Sequence, residues 1–138
     1  MLTIDQIRPG AVAYFDTQIL LADTRLQRLE HRPFRSGPFV CIEIGAGYTT
    51  WLSITSQPGL YNQRLELRPE WRIDGSQVWR HGPSYINNVC NPVRGRDVVF
   101  CDASRGEIDF TTIGRPHVTA AGLDAIFNEI SHYKRLTA

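Results

Sequence analysis

The sequence has few cysteines and no long apolar run, and both absences exclude whole classes of protein. No apolar stretch approaches the ~20 residues that span a bilayer, and residues 1–5 lack the charged-then-apolar order of a signal peptide. Cys41, Cys90 and Cys101 are odd in number and show no Cys-x-x-Cys spacing, which favours reduced, buried thiols over disulfides or a zinc site. The sequence therefore predicts a cytoplasmic protein with no membrane segment.

Lysine is also scarce, because the cations are fourteen arginines and one lysine against a net charge of only +1. Such a balance gives no overall basic field. Arginine forks onto phosphate and stacks on bases, so this cation set suits contact with RNA, although a GC-rich genome would produce the same bias. The densest basic stretch lies within residues 17–36 and contains Arg25, Arg28, His31, Arg32 and Arg35.

Two further absences concern cofactors. The acidic residues are scattered and do not show the paired spacing that a metal nuclease needs. Gly45-Ala46-Gly47 joins two strand-like runs and opens no helix, so it is not a phosphate-binding loop. The sequence therefore predicts no metal and no cofactor.

The chain is organised around a β-hairpin in residues 37–59. Two runs rich in β-branched and aromatic residues, Phe39–Ile44 and Tyr48–Thr55, are joined by a short turn with two glycines. Strand alternation places four side chains of the second run on one face: Thr49, Trp51, Ser53 and Thr55. This face is rich in hydroxyls and its indole looks exposed, which favours a polar ligand over a core.

The remaining elements are shorter. Further strands are predicted over Ala11–Asp16, Gln63–Leu67, Ser84–Val89, Asp97–Cys101 and Gly106–Ile113, with a loop over Asn91–Arg96. A short helix is possible over Asp23–Leu29, and a turn at Asp74–Gly75 is flanked by short strands.

The most regular pattern is a terminal amphipathic helix of about 16 residues that follows a Thr119 cap. Its apolar stripe contains Leu123, Ile126, Phe127, Ile130 and Tyr133. Together these parts predict one domain over residues 1–138, mainly β within the α+β class. Its architecture is a small curled β-barrel with a C-terminal helix.

The order of these parts resembles the MazF/PemK/Kid family of toxin endoribonucleases, whose members have an SH3-like barrel with a C-terminal helix. The resemblance is carried by Pro9–Tyr14, a basic loop, Pro38–Ile42, Ile54–Gln57 and Val118–Thr119. Two features depart from the family. Gly37 stands before Pro38, where active members carry Arg, and residues 91–105 resemble an insertion or an extra hairpin.

The resemblance implies the toxin of a type II toxin–antitoxin system that cleaves single-stranded RNA without a metal. In that chemistry a 2′-hydroxyl attacks its own phosphodiester, so the protein supplies a cation, a hydroxyl and acid–base groups. By position the catalytic residues are Thr55 and Arg35, with Arg32 as the alternative cation. The competing interpretations are that Thr55 satisfies a turn and that Arg35 is a solvated loop cation.

The same resemblance assigns RNA-binding positions. They are Arg25, Arg28, His31, Arg32, Gln57 and Arg80. His31 or His81 could also transfer protons. Trp51 or Trp79 could stack an unpaired base, and each could equally fill a core.

The partners implied are single-stranded RNA, an acidic antitoxin protein and a second copy of the chain in a homodimer. One rival is a catalytically silent barrel that binds RNA or a protein, which Gly37 favours. A CcdB-like gyrase inhibitor ranks lower, because that branch uses a Trp near its end and no Trp follows Trp79 here.

Overall fold

A computed structural model of the chain describes residues 1–29, 35–60 and 63–137. Within these ranges the strands are β1 (Val12–Phe15), β2 (Gly37–Ile44), β3 (Tyr48–Thr55), β4 (Leu65–Glu66), β5 (Arg72–Ile73), β6 (Tyr85–Ile86), β7 (Val93–Arg96) and β8 (His117–Val118). The α-helices are α1 (Thr17–Leu21), α2 (Gln77–His81), α3 (Asp97–Ala103) and α4 (Ala120–Thr137), and short 3-10 turns cover Ile4–Gln6 and Pro69–Trp71.

The antiparallel sheet is built around the predicted hairpin, which is confirmed. Its strand order is β1-β2-β3-β6-β4, and β7 pairs with the first half of β3 while β6 pairs with its end. Phe39 lies opposite Ser53 in the β2–β3 register, and an irregularity between Cys41 and Glu43 shifts the pairing once. β5 and β8 form a separate pair that reaches β1 through a bridge between Ala11 and His117.

Both faces of this sheet are buried. One face carries an aromatic core in which Trp51 stacks on Phe100 with ring centroids 5.5 Å apart and meets Phe15 edge-on at 4.7 Å. The other face carries an aliphatic core made of alternate strand residues and one helix residue: Val12, Val40, Leu52, Ile54, Ile86 and Ile126. The hairpin therefore packs on both sides, as strands of a central layer do.

The expectation that the hydroxyl-rich face of β3 is open to a ligand is wrong over most of its length. The Trp51 side chain is 0% exposed and Thr49 is 3% exposed. The indole Nε1 donates to the Thr49 hydroxyl at 2.7 Å. A buried indole N–H needs an acceptor, so this hydroxyl serves the core. Only Ser53 and Thr55, at the end of the strand, remain half-exposed.

The terminal helix is confirmed. α4 begins after Thr119, whose hydroxyl accepts from the Gly122 N–H at 3.2 Å. Ile126 is fully buried, whereas Phe127 is 41% exposed and lies at the margin of the predicted stripe. A Cβ at position 122 would lie 2.4 Å from a Val118 methyl, so the helix approaches its neighbours this closely only with glycine there.

Two adjacent predictions are wrong. Residues 93–96, expected as loop, form β7, because β3 offers a free edge beyond the short β6. Residues 97–101, expected as a strand, belong to helix α3. Helical spacing turns both Phe100 and Ala103 into the aromatic core, which a strand would not do.

Three local predictions also need correction. Residues 106–113 form turns and no strand. The first helix lies at Thr17–Leu21 and not at 23–29, because the Asp16 carboxylate accepts from the Gln18 N–H and caps it there. After the Asp74–Gly75 turn the chain enters α2, which the Ser76 hydroxyl caps by accepting from the Trp79 N–H. β1, β4 and β6 lie within their predicted ranges.

A buried ion pair covers the outer edge of β1. The Glu107 carboxylate accepts from Arg115 at 2.9 and 3.0 Å and from the Tyr14 N–H at 2.8 Å. Arg115 also donates to the Val12 carbonyl oxygen at 3.0 Å. These side chains satisfy backbone groups that another strand would otherwise pair with, so the 106–116 segment is fixed to β1 without being a strand.

The protein is thus a small α+β structure with more helix than the sequence suggested. Among the residues described above, no ladder joins β4 to β5. The sheet curls around the aliphatic core but is not a closed barrel.

Candidate functional site

The predicted catalytic residues lie at one end of the sheet, which we call the Thr55 end. The β2–β3 ladder ends with Phe39 opposite Ser53, two residues before Gly37 and Thr55 are reached. Gly37 pairs with Phe15 on β1. Arg35 precedes β2 by two residues and is exposed. The start of β2 therefore brings the Arg35 backbone to the edge where β3 ends.

Hydroxyl groups hold this end together. The Thr55 hydroxyl donates to the Gln57 carbonyl oxygen and accepts from the Gln57 N–H, both at 3.2 Å. The Ser36 hydroxyl accepts from the Thr17 N–H at 3.0 Å and lies 3.1 Å from the Thr17 hydroxyl. Ser36 thus fixes the residue after Arg35 against the start of α1. No pattern in the sequence predicted this contact.

The ladder places two more functional groups beside Thr55. Thr55 pairs with Tyr85 on β6, and Tyr85 pairs with Glu66 on β4. Directly opposed residues share a face, so a hydroxyl, a phenol and an exposed carboxylate form a row about 10 Å long across three strands. Sequence reasoning did not single out Glu66, because only the strand order shows that it lies two strands from Thr55.

Two predicted RNA-binding arginines do not lie at this end. Gln27, between Arg25 and Arg28, forms a bridge with Arg94, which in turn pairs with Thr50. Thr50 is five residues from Thr55 along β3, a separation of about 17 Å. The structure therefore separates these two arginines from the predicted catalytic pair.

The other predicted site residues divide as follows. Gln57 lies at the Thr55 end, whereas Arg80 lies on α2, which packs through Trp79 against the aliphatic core on the opposite face. His31 and Arg32 fall outside the described residues. His81 is exposed at the end of α2.

Neither tryptophan is an open stacking platform. Trp51 is buried in the aromatic core, which overturns its proposed contact with a base. Trp79 is half-buried and donates to the Ile73 carbonyl oxygen at 3.3 Å. Both indoles therefore fill cores, the second of the two interpretations that the sequence allowed.

One arginine that sequence reasoning did not single out is buried. Arg72 donates to the carbonyl oxygens of Trp79 at 2.6 Å and Gly82 at 2.5 Å, at the end of α2. Burial lowers the pKa of its guanidinium. The nearby carboxylates of Glu66 and Glu70 act in the opposite direction but do not cancel this effect. Arg72 holds a helix end in place and does not face a ligand.

The thiols are poor candidates for nucleophiles. All three cysteines are free. Burial raises the pKa of Cys41 to about 12 and also raises the pKa of Cys101. A thiolate is the reactive form, so at neutral pH these two side chains are protonated and act as apolar packing groups.

The part of the chain that the structure describes contains no group of three His, Cys, Asp or Glu side chains placed to hold a metal ion. No helix in the same ranges combines the length and the apolar character needed to cross a membrane. Comparison of the chain with family models, with curated proteins and with solved structures found no match. The functional conclusion therefore depends on the geometry of the Thr55 end.

Proposed function

We propose that this protein is the toxin of a type II toxin–antitoxin system, a metal-independent endoribonuclease that cleaves single-stranded RNA and inhibits growth. The observation that carries the proposal is the row of Thr55, Tyr85 and Glu66 across three strands, with Arg35 entering at the same edge. This row offers a hydroxyl, a phenol and a carboxylate on one face, and Arg35 adds a cation two residues before the start of β2.

Each group has a role in the proposed reaction. Glu66 takes the proton from the ribose 2′-oxygen as that oxygen bonds to phosphorus. Arg35 stabilises the negative charge that grows on the phosphoryl oxygens. The Thr55 hydroxyl turns from the Gln57 carbonyl oxygen and donates to the same phosphate. The bond to the 5′-oxygen breaks, that oxygen takes a proton from water, Glu66 returns its proton to the solvent, and the products are a 2′,3′-cyclic phosphate and a 5′-hydroxyl.

The proposal extends to the architecture and the partners. The path β5-β8-β1-β2-β3-β6-β4 surrounds the aliphatic core, and we interpret it as an opened SH3-like barrel. The protein acts in the cytoplasm as a homodimer, and an acidic antitoxin neutralises it by covering its arginines. Toxicity on expression alone, relieved by co-expression of an acidic protein encoded beside it, tests this part.

A second candidate is a catalytically silent module that binds RNA or a protein. Two observations favour it. Gly37 provides no guanidinium at the position where active members of the MazF/PemK/Kid family carry an arginine. The Thr55 hydroxyl is also already engaged on both sides by Gln57, as a purely structural threonine would be.

Cleavage of a fluorescent single-stranded RNA in the presence of a chelator separates the two candidates. We expect Arg35→Ala to lower the rate about 100-fold and Glu66→Gln to lower it at least 100-fold. Thr55→Ser keeps the hydroxyl and should retain most of the activity, whereas Thr55→Val removes the hydroxyl and should lose it. Arg135→Ala is the control and should not change the rate. RNA binding without cleavage by the unmutated protein would favour the silent module.

A further inference from the structure

A second group of arginines lies at the opposite end of β3, where that strand begins. β7 pairs there with Tyr48–Trp51, and the chain at Gln27 adds one more bridge. The Gln27 N–H donates to the Arg94 carbonyl oxygen at 2.8 Å, and the Arg94 N–H donates back at 2.9 Å. This bridge holds the backbone on either side of Gln27 against the outer edge of β7.

An exposed aromatic ring and a cation meet on this edge. The Arg94 guanidinium lies over the Tyr48 ring, 5.6 Å from its centroid. Tyr48 is 43% exposed and Arg94 is also exposed. None of the described carboxylates forms an ion pair with Arg94. The pair therefore presents a planar cation and an aromatic ring to solvent.

A different arginine anchors the neighbouring segment. Arg96 donates to the Asp23 carboxylate at 3.0 Å, and the Arg25 N–H donates to the same oxygen at 3.2 Å. Burial alone would raise the pKa of Asp23, but these hydrogen bonds and the charges of both arginines hold it below 3.8. Arg96 is thus occupied in fixing the segment that carries Arg25 and Arg28.

An open recess lies in that segment. It has a volume of about 400 Å³. Its lining residues are Leu21, Asp23, Leu26, Gln27 and Arg28. The recess combines apolar walls with amide, carboxylate and guanidinium groups, so it is a partly polar hollow beside Arg25 and Arg28.

We propose that Arg25, Arg28, Tyr48 and Arg94, which together we call the β7 surface, form a binding site for single-stranded RNA that is separate from the Thr55 end. A base stacks against the Arg94–Tyr48 pair, and Arg25 and Arg28 contact the backbone phosphates. Arginine planes and aromatic rings are the groups on which unpaired bases stack. A duplex keeps its bases stacked on one another, so it lacks the face that this surface binds.

The two sites are separate in position and in orientation. Tyr48 and Thr55 are seven residues apart, which is about 23 Å along a strand. An odd separation turns their side chains to opposite faces of the sheet. The β7 surface therefore holds RNA without touching the scissile phosphate. The choice of RNA as ligand rests on the proposed function, but binding at this surface does not require cleavage.

The test measures binding in a background that cannot cleave. A protein carrying Arg35→Ala and Thr55→Val is titrated into a labelled single-stranded RNA of about 12 nucleotides, with fluorescence anisotropy read over a range of salt concentrations. We expect Tyr48→Ala and Arg94→Ala each to weaken binding at least about fivefold. Arg25→Ala, which removes a phosphate contact, should reduce the slope of log affinity against log salt by about 0.7.

Matched controls and a competing duplex make the result decisive. Tyr14→Ala removes an even more exposed tyrosine from β1, and Arg135→Ala removes an exposed arginine from α4; neither should change the affinity. Equal weakening by the controls, equal affinity for duplex RNA, or no binding at all would overturn the proposal. Absence of cleavage by the unmutated protein, with binding that still depends on Tyr48 and Arg94, would overturn the proposed nuclease and leave the β7 surface standing.

Discussion

The two ends of β3 differ in how their cations are held. At the Tyr48 end, a four-residue ladder and the Arg96–Asp23 ion pair fix the strand and the segment that carry the arginines. At the Thr55 end, Arg35 comes from a connection that is tied to α1 through the hydroxyls of Ser36 and Thr17. We propose a division of labour, in which Arg25, Arg28 and Arg94 bind the RNA and Arg35 meets the changing charge of the reaction.

The largest effect is expected where both ends share one support. Trp51 lies in the middle of β3 and contacts the rings of Phe15 and Phe100. Trp51→Ala should lower the free energy of unfolding by about 3–5 kcal/mol, because it leaves a cavity in the aromatic core. Urea unfolding measures this loss, and binding and cleavage should decline together with folding. Val78→Ala, at an exposed position, should change little. A stable Trp51→Ala protein would contradict the proposed support.

The next largest effect is expected at Thr49 and tests whether its hydroxyl serves the core by accepting the Trp51 indole N–H. Thr49→Val keeps the shape but leaves the Trp51 indole N–H without its acceptor, which should cost about 1–3 kcal/mol of unfolding free energy. In a Trp51→Phe background the same change should cost much less, because no N–H remains to be satisfied. A double-mutant cycle measured by urea unfolding gives the difference. Equal costs in both backgrounds would show that Thr49 does not serve the indole.

A smaller effect sharpens the comparison at the Thr55 end. No atom of the described residues lies within 4 Å of a Cβ placed at position 37, although the φ of 158° adds some backbone cost. Gly37→Arg should raise cleavage about tenfold over Gly37→Ala, which is worth about 1.4 kcal/mol in the barrier. Gly37→Ala controls for the backbone cost. Equal rates of the two variants would show that a guanidinium there does not reach the phosphate.

The smallest effect concerns the anchor at the Tyr48 end. The pKa of Asp23 is lowered in the folded protein, so its stabilisation is present above pH 3.8 and is lost as the pH falls through the folded value. Asp23→Asn should cost about 1 kcal/mol at pH 7, a small value because Arg96 is partly exposed. The difference from the unmutated protein should shrink below pH 3.8. Asp102→Asn, in an exposed pair with Arg105, is the control; a constant difference for Asp23→Asn would contradict the assignment.

Local signals were enough to predict the hairpin and the terminal helix. The hairpin follows from two strand-like runs around a glycine turn, and α4 follows from a Thr119 cap and an apolar stripe. Residues 97–101 were assigned wrongly because a short apolar run fits a strand as well as a helix. Only the position of Phe100 and Ala103 against the aromatic core decides between them.

The site was predictable only in part, for a physical reason. Thr55 and Arg35 were predicted from the family resemblance, and they lie at the end of β3 and just before the start of β2. Glu66 was not found, because its position depends on β6 pairing with β3 and β4 at once. Trp51 was misjudged because alternation alone cannot tell a face covered by α1 and α3 from an open one.

The most direct test of the account compares the kinetics of Arg35→Ala and Arg94→Ala on the same single-stranded RNA. We expect Arg35→Ala to lower kcat with little change in KM, and Arg94→Ala to raise KM with little change in kcat. This split would place charge stabilisation at one end of β3 and RNA binding at the other. The reverse split, or two variants that lose kcat equally, would contradict the division of labour along this strand.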